Sequence, residues 1–165
     1  MPDDFSIEID SKTLEQKFKS LSSDLQTRIL NTSLREGAKV YQSRLREAAP
    51  VRSDGGPNKG SNSLPEGALE SDVIIRKVPN APEYDVQFGK QTSHIARFVN
   101  DGHRLVRGGR STVNKKTGKT RGPGSQVGDV QAYPFFESAA ESATGEAEQA
   151  ITTSLTAQIN AKWNE

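Results

Sequence analysis

The spacing of apolar residues in the first third of the chain predicts two helices in succession. Phe5, Ile7 and Ile9 first alternate with polar neighbours, a pattern typical of a short strand. Apolar residues then recur at three- and four-residue steps from residue 14 to residue 48, which is helical spacing. The polar run at 22–24 divides this series, so we predict a short helix and a longer one beginning near residue 23. Pro50 ends the second helix, because proline lacks an amide donor and clashes with the preceding turn.

The central part of the chain has the short alternating patterns of strands. Residues 71–78 and 83–89 are β-branched or alternating, and the proline-rich turn between them predicts a hairpin. Residues 104–106 and 130–133 predict a third and a fourth strand. Between the two pairs, IARFVNDG has apolar residues at helical spacing, and Gly102 is placed to stop a helix of one or two turns.

A second long helix is predicted at the C-terminal end. Pro134 suits the first turn of a helix. The apolar stripe that follows consists of Phe136, Ala140, Ala143, Ala147, Ile151, Leu155 and Ile159, with Trp163 one step further. Its alanines permit close helix–helix approach, and Gly145 weakens the helix by about 1 kcal/mol relative to alanine.

These elements predict one α+β domain over residues 1–165. A small antiparallel β-sheet packs against a long N-terminal helix and a long C-terminal helix. Glycine- and serine-rich segments at about 51–68 and 107–128 are predicted to be long flexible loops. A loop as long as the second is usually functional or disordered in a compact domain.

The composition allows two interpretations. Either part of the chain is disordered in the isolated protein, or partner subunits bury part of its apolar surface. Hydrophobic residues make up 32% of the 165 residues, and the mean hydropathy is −0.71, both low for a compact globule. The absence of cysteine excludes a disulfide framework, a thiol nucleophile and a cysteine-based zinc site. No apolar run approaches the about 20 residues of a membrane span, and the acidic N-terminus is unlike a signal peptide. We therefore expect a soluble protein with no membrane association.

Charge is informative in its distribution and not in its total. The net charge of +1 indicates no particular partner. No acidic residue lies between Asp101 and Asp129, however, and residues 104–121, the basic segment, hold Arg104, Arg107, Arg110, Lys115, Lys116, Lys119 and Arg121. Such a segment attracts phosphate groups, and it suits an acidic protein surface equally well. No aromatic residue is interleaved, so any nucleic-acid contact would be independent of base sequence.

The two histidines of the chain are the natural candidates for a catalytic or metal site. They lie nine residues apart in HIARFVNDGH, with Asn100 and Asp101 between them. On one continuous helix nine residues correspond to 900°, which places His94 and His103 on opposite faces. A zinc or iron site needs three ligands at fixed spacing, and neither a nucleophile elbow nor a phosphate loop is present. We expect no enzyme activity and no cofactor or metal; a metal-dependent hydrolase at His94, Asp101 and His103 is the alternative to be tested.

Four short stretches together resemble a known family. They are AAP at 48–50, EGALESDVII at 66–75, HIARFVNDGH at 94–103 and AYPFFESAAESA at 132–143. In this order they resemble the neck or tail-completion proteins of long-tailed bacteriophages and prophages. The matching residues are Ala96, Phe98, Val99, Gly102, Pro134, Phe135, Phe136 and Ala139. The chain has Asn100 and His103 where that family usually has Glu and Thr.

The resemblance implies a structural virion protein without catalysis. Several copies would form a ring, six-fold or twelve-fold, between the connector or head-closure proteins and the tail terminator. The ring would surround the DNA channel, with the basic segment at the channel wall or at a subunit contact, where nonspecific contact with viral DNA is expected. The protein would be found in the virion, and in the host cytoplasm during assembly. The alternative is a sequence-nonspecific nucleic-acid-binding module that uses the basic segment.

Overall fold

The computed structural model describes residues 11–51, 64–107 and 124–163, and these contain five helices and four strands. The helices are α1 (Ser11–Ser20), α2 (Ser23–Ala48), α3 (Ala68–Ser71), α4 (Ser93–Asp101) and α5 (Phe135–Trp163). The strands are β1 (Val73–Lys77), β2 (Tyr84–Phe88), β3 (His103–Arg107) and β4 (Ser125–Val130). The predicted α+β class is confirmed. The predicted strand at residues 1–10, residues 52–63 and residues 108–123 lie outside the described residues.

The chain forms two compact units, each made of segments that are distant in sequence. The first unit consists of Met1–Arg44, Ile74–Gln87 and Ala140–Glu165, and the second of Leu45–Val73 and Phe88–Ala139. The four strands form two separate two-stranded sheets, β1–β2 and β3–β4, and not one sheet. The small sheet expected from the sequence is therefore a pair of hairpins. That residues 1–165 act as one domain stays a prediction.

In the first unit, α2 and α5 run antiparallel in direct contact. Ser33 lies beside Ser154, with 3.3 Å between their hydroxyl oxygens, and Tyr41 lies beside Thr144, with 3.2 Å between theirs. The partner's residue number falls as the number in α2 rises, as antiparallel helices require. Gly37 lies against Ile151, and a Cβ at residue 37 would come within 2.6 Å of that side chain. Small residues on both helices therefore let their backbones approach closely.

The junction between α1 and α2 lies where the polar run predicts it. The Gln26 side chain donates to the carbonyl oxygens of Phe18 and Leu21, each at 3.0 Å. These carbonyls belong to the end of α1 and the residue after it, where helical hydrogen bonding stops. The side chain thus supplies a donor to the Leu21 carbonyl at the break and a second donor to the Phe18 carbonyl, which also accepts from the Leu21 amide at 3.2 Å.

The buried stripe of α5 begins one residue earlier than the sequence predicts. Phe135, Ala139, Ala143 and Ala147 are buried at four-residue steps, whereas Ala140 is exposed and Phe136 half-buried. The prediction began the stripe at Phe136 and Ala140, which was wrong for these positions. Adjacent alanines at 139 and 140 have the same hydrophobicity, so the pattern cannot distinguish them; only the packing of the helix does.

The β3–β4 pair differs from the predicted strand boundaries. It is antiparallel, with His103 opposite Val130 and Arg107 opposite Ser125, and a bulge between Leu105 and Val106 leaves Val127 as the extra residue. The expected loop at 107–128 therefore includes part of β4, and residues 131–133 are not a strand. Tyr133 instead donates its amide to the carbonyl of Val99 at the end of α4, at 3.0 Å. This tertiary hydrogen bond replaces the strand pairing that the pattern suggested.

Candidate functional site

The segment with both histidines forms a helix, a glycine turn and a strand. Gly102 ends α4 with φ 70° and ψ 170°, a conformation that essentially only glycine adopts. A Cβ at residue 102 would lie 2.6 Å from the carbonyl oxygen of Val130 and 2.8 Å from the amide nitrogen of Ala132. Both neighbours are backbone atoms and cannot move aside independently. The predicted glycine stop is confirmed, and this glycine also allows the chain to pass close to the end of β4.

Asn100 joins the end of α4 to the start of α5. It is only 7% exposed, and its Oδ1 accepts a hydrogen bond from the Phe136 amide at 3.1 Å. That amide lies in the first turn of α5, where N–H groups have no partner within the helix. The Nδ2 atom of Asn100 donates to Asp101 Oδ1 at 3.0 Å. Asn100 is thus a cap supplied from outside the helix, a role that sequence analysis missed because the contact joins residues 36 positions apart.

A second polar contact holds the start of α4. Thr92 is 2% exposed, and its hydroxyl donates to Asp72 Oδ2 at 2.7 Å. The Gly89 amide donates to the Asp72 carbonyl at 2.9 Å, and the Asp72 carboxylate fills the space that a Cβ at residue 89 would need. Sequence analysis missed this contact too, since Asp72 and Thr92 carry no recognisable spacing.

Aromatic rings pack around the start of α5. Phe88 meets Phe135 and Phe136 edge to face, with centroid distances of 5.9 and 5.4 Å, and Phe135 stacks on Phe136 at 4.7 Å. Edge-to-face and offset pairs are favourable arrangements of aromatic rings. Of the residues that carry the family resemblance, Ala96, Phe135 and Ala139 are buried, Val99, Gly102 and Phe136 are half-buried, and Pro134 is exposed.

Phe98 lies outside this core and beside a histidine. Its side chain is 51% exposed, and its ring centroid lies 5.2 Å from that of His103. His103 Nδ1 lies 3.4 Å from the Phe98 carbonyl oxygen. Phe98 therefore lies on the exposed side of α4, where the turn at Gly102 brings His103 back beside it.

The two histidines line one open depression, together with Arg97, Phe98 and Asp101. The spacing in the sequence places the two histidines on opposite faces of one continuous helix. That geometry does not apply, because His94 lies in α4 and His103 in β3. The Asp101 carboxylate accepts from Asn100 and pairs with Arg97 at 3.5 Å. Among the described residues, no three His, Asp or Glu side chains are grouped so that they could hold a metal ion.

The pair of β3 and β4, here called the ribbon, exposes apolar side chains. Val106 and Val127 are 56% and 58% exposed, and Leu105 and Val130 are exposed as well. Of the large apolar residues that are exposed in the described segments, Ile74 belongs to the first unit. The others belong to the second unit and are Val51, Phe98, Leu105, Val106, Val127, Val130 and Tyr133. In the described segments, the exposed large apolar residues are therefore concentrated in the second unit.

Little of the basic segment falls within the described residues. Arg104 is exposed on β3, and Arg107 ends that strand. The other five basic positions, Arg110, Lys115, Lys116, Lys119 and Arg121, lie outside the described residues.

Comparison with known proteins identifies a bacteriophage family. A family model described as "Bacteriophage HK97-gp10, putative tail-component" matches residues 12–102. The match includes the AAP and EGALESDVII stretches and ends at Gly102, so the ribbon and α5 lie beyond it. No curated protein and no solved structure matches the chain. In the described segments no helix has the length and apolar character to span a membrane.

Proposed function

The chain belongs to the HK97-gp10-like family of bacteriophage tail components, and from this membership we propose that it is a structural virion protein of the phage neck. It completes the tail or joins it to the head. The observation that carries the proposal is the family match over more than half of the chain. As a phage tail component, the protein works through contacts with other phage structural proteins and not through catalysis.

The proposed arrangement is a ring of identical subunits around the DNA channel. It lies between the connector or head-closure proteins and the tail terminator, with six-fold or twelve-fold symmetry. The exposed apolar residues of the second unit support it, because a subunit that completes its burial in an assembly leaves such residues uncovered alone. The low mean hydropathy of −0.71 agrees. The protein is made in the host cytoplasm and ends in the virion.

Deletion and rescue test this role in the phage or prophage that encodes the chain. We expect particles without the protein to accumulate DNA-filled heads and separate tails, which electron microscopy would reveal. The wild-type chain supplied in trans should restore joined particles. Normal joining in its absence would refute the proposal.

The same rescue assay separates a structural role from a hydrolytic one. A His94→Ala/His103→Ala variant removes both imidazoles from the open depression beside α4. If the protein is structural, this variant restores joining as well as the wild-type chain does. If a histidine-dependent hydrolase is required, rescue fails although the variant folds and is incorporated.

A second candidate function is sequence-nonspecific nucleic-acid binding by the basic segment. The charge distribution supports it, because residues 104–121 contain seven basic residues and no acidic residue. Its signature is an affinity that falls steeply with salt, with a log–log slope of roughly −0.9 per phosphate neutralised on duplex DNA. Substituting Arg107, Arg110, Lys115 and Lys116 by alanine should flatten that slope. Weak binding that these substitutions leave unchanged would exclude this function.

A further inference from the structure

The ribbon and one face of α5 are complementary surfaces, and we infer that the ribbon of one copy packs on α5 of a neighbouring copy. The inference rests on the proposed ring and assigns the contact that builds it. The two surfaces differ, so the contact is head-to-tail. A head-to-tail contact repeats around a ring when the rotation between copies closes.

The ribbon is built like an element that needs a partner. An isolated two-stranded hairpin is at best marginally stable in water. Pleating places Leu105 and Val106 on opposite faces of β3, and both are exposed, so each face presents an apolar side chain. The bulge at Val127 adds a third exposed apolar residue at the centre of the ribbon. Packing against a neighbour would remove this apolar surface from water.

Charge favours a second copy as that neighbour. The ribbon carries Arg104 and Arg107 on β3 and one acidic residue, Asp129, on β4, opposite Arg104. The sequence between the two strands adds the other five basic residues of the basic segment and no acidic residue. In the opposite sense, residues 122–161 contain no Lys or Arg, and α5 carries Glu137, Glu141, Glu146 and Glu148 in its first half. One chain thus holds both halves of a complementary pair. Copies that associate head-to-tail would bring the two arginines of the ribbon, and the basic sequence between its strands, towards an acidic helix.

The acidic face of α5, defined here by Glu141, Gly145 and Glu148, is available for such a contact. These positions are spaced by four and three residues, so they share one side of the helix, and all three are exposed. Within the described residues neither carboxylate has an ion-pair partner, whereas Glu146 pairs with Arg44. The buried residues Ala143 and Ala147 lie on the opposite side.

The acidic face also has a particular shape, which is due to Gly145. A glycine inside a helix costs about 1 kcal/mol relative to alanine. Among the described residues no packing requires it, because a Cβ at residue 145 would meet none of their atoms within 4 Å. A glycine between two exposed carboxylates leaves a shallow gap at the helix surface, which an apolar side chain from the ribbon, such as Val106 or Val127, can enter. The contact between copies is therefore the reason we assign to this glycine.

Cross-linking in assembled tails tests the contact directly. The chain has no cysteine, so a Val106→Cys/Glu148→Cys variant carries the only two thiols it has. After treatment of isolated tails with a short bismaleimide, we expect a ladder of covalent multimers. Each single variant should stay monomeric, since neither surface meets itself. An Ile74→Cys/Glu148→Cys variant is the matched control, with an exposed apolar position outside the ribbon, and should give no ladder.

The outcomes separate this inference from the proposed function. Dimers from Val106→Cys alone would show that ribbons meet each other, which overturns the assignment. So would the absence of any ladder in tails that contain the double variant. In both cases the neck role stands if deletion still prevents joining. Normal joining after deletion would instead refute the neck role itself.

A charge exchange adds an independent test in solution or in tail extracts. Arg104→Glu and Glu148→Arg should each lower the apparent association constant between copies roughly tenfold, and the combined variant should recover most of that loss. Arg97→Glu, at an exposed position outside the ribbon, should leave association unchanged. Losses that simply add in the combined variant would mean that the two side chains do not meet.

Discussion

The two units of the chain are stabilised in different ways. In the first, long antiparallel helices pack through small residues, and Ile74 is its one large apolar residue that is exposed in the described segments. In the second, an aromatic cluster, a required glycine and two buried polar side chains hold short elements together, and most of the exposed large apolar residues are found there. In the described segments the first unit thus leaves one large apolar residue exposed and the second leaves seven, which is the apolar surface that we propose is covered in the assembly.

The largest effect is expected at the glycine turn of the second unit. Gly102→Ala forces a side chain into a glycine-only conformation and against two backbone atoms, so we expect a loss of about 3 kcal/mol in the free energy of unfolding. Urea denaturation measures it. Gly128→Ala is the control in the same unit, because its Cβ would meet only Leu105 Cδ1, at 3.9 Å. Equal losses for both variants would show that the turn has no special role.

The polar contact at the start of α4 should be sensitive to a single atom. Thr92→Val keeps the shape of the side chain and removes the hydroxyl that donates to Asp72, so we expect a loss of about 2 kcal/mol. Thr92→Ser keeps the donor and loses one methyl group, about 0.8 kcal/mol. Thermal denaturation compares the two variants. If serine is as damaging as valine, the hydrogen bond is not what stabilises this contact.

In the first unit, enlargement of the small residues should be the sensitive change. Ala143→Leu places extra atoms at a fully buried position of α5 and should cost about 1–3 kcal/mol. Ala140→Leu, at an exposed position of the same helix, should change stability by less than about 0.5 kcal/mol. Chemical denaturation of both variants tests whether Ala140 lies on the exposed side of α5 or, as the sequence predicted, on its buried stripe with Ala143.

The smallest expected effect is an increase in stability, and the same substitution also tests assembly. Gly145→Ala fills open space and should stabilise the isolated chain by up to about 1 kcal/mol through helix propensity. If the ribbon of a neighbour enters the gap at Gly145, the same variant should be incorporated less well into tails. A variant that is more stable and assembles normally would show that the glycine serves no contact.

Much of the helical architecture could be predicted from local pattern. The break between α1 and α2, the end near Pro50 and the glycine stop at Gly102 follow from residues whose backbone preferences act over a few positions. The β1–β2 hairpin follows from alternation around a proline-rich turn. The predicted start of the α5 stripe failed because neighbouring alanines carry no difference in hydrophobicity.

The sequence by itself determined the helices, the turns and the separation of charge between residues 104–121 and 137–148, because these depend on local backbone preferences and on composition. Only the tertiary structure decided that Asn100 caps α5, that Thr92 binds Asp72, that Phe98 is exposed and that the strands form two hairpins. Each of these depends on which distant residues meet, and hydrogen bonds and packing between distant residues leave no period in the chain. The ribbon follows the same rule: Leu105, Val106 and Val127 are apolar, and only the fold shows that they are exposed.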